Sequence, residues 1–173
     1  MPMKNHRRGY TLVELIVAVG LFALVMMLAS GAYLMMIAIN RQAQGLATGV
    51  DNIAFALETM TRTIRTGTHY SCNSGGDCTN GGTTFSVVNV NGTTMSYALS
   101  GGSITQNGSP LTDPSVIISS LTFYAFGTQT APTDYQQART IIIASGSIPT
   151  GHGKSVSFTI ETGATMRGTD IRP

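Results

Sequence analysis

Between Glu14 and Arg41 the chain carries no charged residue, and the 26 residues from 15 to 40 are nearly all apolar. At 1.5 Å per residue a helix of that length reaches roughly 39 Å, more than the roughly 30 Å of hydrocarbon in a bilayer. A backbone placed in lipid must satisfy its own hydrogen bonds, so this stretch is expected to be helical.

Two features set it apart from a plain anchor. Glu14 opens the apolar run, and a short basic leader with Lys4, Arg7 and Arg8 precedes it and ends at Gly9. A charge inside a membrane helix costs about 2.5 to 3.5 kcal/mol at the centre and less near an end, so such a residue calls for a partner. A cut after Gly9 gives Tyr10 a free α-amino group four residues before Glu14. Positions i and i+4 share one helix face. The ammonium and the carboxylate can then neutralise each other, within a subunit or between neighbours, and a wrong stagger leaves both unpaired. Two alternatives stand beside this reading. A secretory signal has an apolar core of about 7 to 15 residues, but here the run passes Ala29-Ser30-Gly31 and continues to Ile37. A plain signal-anchor explains the length but neither Gly9 nor Glu14.

The string Gly9-Tyr10-Thr11-Leu12-Val13-Glu14, after a basic leader and before a long apolar helix, resembles the class III signal of type IV prepilins and type II secretion pseudopilins. The resemblance covers about the first 40 residues. It implies that prepilin peptidase cuts after Gly9 and N-methylates Tyr10, and that Glu14 aids assembly into a helical filament. Tyr10 stands where the family more often has Phe, and Gly31 where major pilins often have a helix-kinking proline. Residues 57–65 (LETMTRTIR) and 120–126 (SLTFYAF) resemble the minor-pilin and J-type pseudopilin subset. The implied function is a structural subunit, of the minor kind, of a type IV pilus or a secretion pseudopilus. Its partners are other pilin subunits, the peptidase and inner-membrane lipid. The alternative is a membrane-tethered binding pilin for DNA uptake or adhesion.

Charge is informative once the leader is set aside. Three of the ten Lys and Arg are in the leader, and eight Asp and Glu oppose the rest, so the overall excess of base does not argue for nucleic acid. Lys154, Arg139, Arg167 and Arg172 are scattered in sequence, and nucleic-acid binding is not expected. The positive-inside rule puts the N-terminus in the cytoplasm and the rest in the periplasm of a bacterium. Cys72 and Cys78 flank a glycine-rich segment and are expected to form a disulfide in that oxidising compartment, pinning one local loop. Zinc is the weaker alternative, since His69 is the sole nearby histidine.

The expected organisation is leader 1–9, membrane and assembly helix 10–40, amphipathic helix half 41–67, and a β domain 68–173. Leu46, Val50, Ile53, Leu57, Met60 and Ile64 form a helical stripe, Glu58 and Arg62 an i, i+4 pair, and Gly67 a stop. Gly45 and Gly49 suggest a soft joint. Beyond Gly67 a loop is expected over 68–82, then strands at 84–90 and 93–99 joined by Asn91-Gly92, and a short strand at 103–106. Further strands are expected at 116–126, 140–144 and 155–162, with a Gly/Pro loop over 145–153. The predicted fold class is α+β: one long helix on an antiparallel meander, as in pilins.

No catalytic set is recognisable, and no enzyme, cofactor or metal is expected. His69 and His152 are isolated, Asp113 and Asp134 fit turns, Glu161 fits a strand surface, and Asp77 alone is a poor calcium site. Asn91-Gly92-Thr93 and Asn107-Gly108-Ser109 match the glycosylation pattern but are better explained as turns.

Overall fold

The computed structural model describes residues 9–73, 75–129, 133, 135–151 and 153–168. Helix α1 spans Leu12–Thr66 without a break. It contains no proline, and Gly31 and Gly45 sit within it as ordinary helical positions. The chain divides into two compact units, 1–41 and 42–173, with the division inside α1.

In the first unit the apolar side chains of α1 face outward: Val13, Phe22, Met27 and Leu34 are all exposed. The helix is long and apolar enough to cross a membrane, and none of its most apolar window is buried.

In the second unit α1 buries one side. Ile53, Leu57, Met60 and Ile64 are buried, as the stripe predicts, Ala56 and Thr61 are buried beside them, and Leu46 is half-buried. Val50 departs from it and is 49% exposed. Its place in the contact is taken by Gly49, where an added Cβ would lie 2.6 Å from the Ile148 side chain. Gly49 is therefore a packing position rather than a joint: the bare backbone lets the strand side chain come close. The helix ends where expected. At Gly67 a Cβ would come within 2.9 Å of the Thr63 carbonyl, so only glycine turns the chain there without displacement. The buried Tyr70 hydroxyl donates to the Ile64 carbonyl, and the Arg167 N–H donates to that of Arg65 at 2.9 Å, which satisfies carbonyls of the last turn.

Nine strands follow, all antiparallel where paired: β1 (Thr68–Cys72), β2 (Cys78–Gly82), β3 (Thr84–Val88), β4 (Thr94–Ser100), β5 (Ser103–Gln106), β6 (Ser109–Pro110), β7 (Ile117–Phe126), β8 (Arg139–Gly151) and β9 (Lys154–Thr165). The α+β class stands, but the single meander becomes two sheets, β1-β3-β4-β5-β6 and β2-β7-β8-β9. The expected loop over 68–82 contains β1 and β2, one in each sheet. Residues 145–151 of the loop expected over 145–153 lie within β8, which pairs with β9 from Arg139↔Thr165 to Gly151↔Lys154. Gly146 there is a close-approach residue, since a Cβ would lie 3.0 Å from the Phe158 ring.

Asn91-Gly92 does turn a hairpin, but as a longer loop. The Gly92 N–H donates to the Asn89 carbonyl, that of Asn89 to Thr93, and the Asn89 side chain accepts from Asn91 and Thr93. One core joins both sheets and the helix, with Phe85 stacked on Phe123 and Tyr70 edge-on to Phe85, each at 5.5 Å between centroids.

Candidate functional site

The N-terminal segment is built by a cap. Thr11 precedes the first helical residue, and its Oγ1 accepts from the Glu14 N–H at 3.2 Å, while its carbonyl accepts from Leu15 at 3.2 Å. Thr-x-x-Glu is the spacing of a capping box, a signal the family motif overlies and hides. The carboxylate of Glu14 in the first turn also complements the positive end of the helix dipole.

Gly9 and Tyr10 are exposed and lie outside the helix. Tyr10 therefore does not share a helix face with Glu14 in the uncut chain, because α1 starts only at Leu12. The i, i+4 expectation concerns the chain cut after Gly9; in the uncut chain Thr11 takes the cap and the helical path ends before Tyr10. Lys4, Arg7 and Arg8 lie outside the described residues, as do Asp134, His152 and Arg172.

Cys72 and Cys78 form a disulfide with Cα atoms 5.9 Å apart. Cys72 is buried in β1 and Cys78 opens β2, so the bond joins the two sheets. The expectation that it pins only a local loop is thereby corrected. Within its loop Asp77 accepts from Gly127 N–H (3.2 Å), Thr128 N–H (2.9 Å) and Thr128 hydroxyl (2.8 Å), clamping the end of β7. Partial burial pushes the Asp77 carboxyl upward, but the Thr128 and Gly127 hydrogen bonds outweigh it and leave the group below the ordinary aspartate range.

Among the scattered cations, Arg139 lies over the Phe126 ring at 4.9 Å from its centroid, and Lys154 begins β9 at the other end of the β8–β9 pair. Arg167 meets Arg62 and Arg65 in one cleft, a grouping that the distance in sequence conceals. Asp113 is a turn residue, with its carboxylate accepting from Ser115 N–H at 2.8 Å. Among the described residues, no three His, Cys, Asp or Glu side chains converge as a metal site.

A family model for the prokaryotic N-terminal methylation motif matches residues 4–30. No curated protein and no solved structure matches the chain. The motif supports a type IV pilin-like prepilin signal and a pilin- or pseudopilin-type subunit. It implies processing by prepilin peptidase and assembly with other pilin subunits. Together with the apolar helix it is consistent with single-pass anchoring in the inner membrane, and with the α+β fold it fits a structural, non-enzymatic role.

Proposed function

We propose that the chain is a filament subunit of a type IV pilus or a type II secretion pseudopilus. It is stored in the inner membrane with its N-terminus cytoplasmic, cut between Gly9 and Tyr10, N-methylated on Tyr10, and drawn into the filament by α1. The observation that carries this reading is the coincidence of the methylation motif with an exposed apolar helix that begins three residues after the cut. Lipid covers the outward side chains of 12–39 in storage, and neighbouring helices replace it in the filament. In this reading Glu14 pairs with a neighbour's Tyr10 ammonium, and Tyr10 lies just ahead of α1, which begins at Leu12.

The resemblance that suggests a minor position involves residues whose apolar members are core positions here: Leu57, Met60 and Ile64, and Leu121, Phe123 and Ala125. Those residues serve the core of the domain, and the minor position is carried by the resemblance alone.

Glu14→Ala leaves the cut intact and lowers the amount of chain in sheared filaments. Intact mass of the mature N-terminus and quantitation of the sheared fraction check both, and normal incorporation of the variant would contradict the role.

A further inference from the structure

Arg62 and Arg65 of α1 and Arg167 beyond β9 line one cleft with Glu58, Thr61 and Thr66. The Arg167–Arg65 backbone hydrogen bond makes two of these arginines neighbours. Arg62 is paired with Glu58 at 3.2 Å, and among the described residues no carboxylate forms an ion pair with Arg65 or Arg167. The negative end of the helix dipole favours Arg62 and Arg65. It does not account for a third cation brought from the far end of the chain. Arg65 and Arg167, in no ion pair among the described residues, offer a docking place for a carboxylate, because the guanidinium fork matches carboxylate geometry.

The same helix carries the complement. Asp51 lies about three turns before Arg62, on the same exposed stripe as Phe55 and Glu58. Asp51 is exposed and in no ion pair among the described residues.

We propose that the Arg65–Arg167 pair receives Asp51 of a second copy of this chain. The proposal rests on the filament reading, because subunits drawn from one membrane share polarity and their helices run parallel. Parallel copies in register would set Asp51 against Asp51 and Arg65 against Arg65. A shift of about 21 Å, the axial distance between these positions, brings Asp51 beside Arg65 instead. Complementary patches at two heights of one surface make a contact that repeats without closing, which is how a helical filament grows. A nucleic acid is the poorer occupant: the described lining of the cleft contains no aromatic to stack a base.

The test is a charge exchange in cells that assemble the filament. Asp51→Arg alone, and Arg65→Asp with Arg167→Asp, each lower the chain recovered in sheared filaments by roughly tenfold or more, and all three together restore it. Native recovery of either reversal overturns the contact, and so does absence of rescue. Intact mass showing the Cys72–Cys78 bridge verifies that the variants fold. As a second measurement, Asp51→Cys and Arg65→Cys on separate co-expressed chains form a crosslinked dimer on mild oxidation, and no dimer overturns the contact. An uncut chain in the same samples sinks the filament reading itself. A cut, assembled chain with neither rescue nor crosslink sinks only this contact.

Discussion

The two parts of α1 share a backbone conformation and differ in what their side chains meet. Met27 in the first unit is 78% exposed, while Met60 in the second is fully buried between helix and sheets. Hydrogen bonding makes both parts helical, but only the second completes its burial inside the chain. The first leaves Val13 through Ile39 to be covered by something else. A helix can thus be finished as secondary structure and unfinished as a packed element, and the unfinished part is where a partner is required.

The same substitution at the two methionines gives the sharpest contrast. Met60→Ala should lower domain stability by about 3 kcal/mol, because it opens a cavity in the core. Met27→Ala should leave the domain's unfolding free energy within about 0.5 kcal/mol of native in detergent. The contrast fails if both behave alike. Next comes the bond between sheets: replacing Cys72 and Cys78 by Ser should cost about 2 kcal/mol, the loop-closure value for a bridge across six positions, and equilibrium unfolding measures it. Gly49→Ala should cost about 1.5 kcal/mol, since the methyl meets Ile148, whereas Gly31→Ala meets nothing within 4 Å and should not destabilise the helix.

Asp77 adds a pH dependence. Its folded carboxyl lies below the ordinary value of 3.8, so its contribution is present above that pH and is lost as the pH falls through the folded value. Asp77→Asn should flatten the acid limb of the stability curve, and an unchanged limb would show that the clamp does not contribute. The smallest effect belongs to Glu58→Gln, about 0.3 kcal/mol, because the ion pair with Arg62 is exposed.

Periodicity made the helix legible. The apolar spacing from Leu46 to Ile64 and the stop at Gly67 fix its buried side, while Val50 and Gly49 exchange roles because a strand side chain comes too close for any Cβ. The strands of 139–165 were harder to read. Gly146 and Pro149 look like loop punctuation, yet they lie within β8 as close-approach and strand positions. The division into two sheets was not visible at all, because it depends on β2 joining β7 across an interval of more than 30 residues. At the N-terminus the signal is local: the string from Gly9 to Glu14 falls within the matched methylation motif. The cluster of Arg62, Arg65 and Arg167 depends on tertiary folding and has no local signature.

Thr11 caps α1 from the mature side of the proposed cut. Proteolysis there would change the electrical state of the tip without re-forming the rod behind it. The peptidase could then act as a release step on a part already in its final form, with no refolding delay between maturation and use.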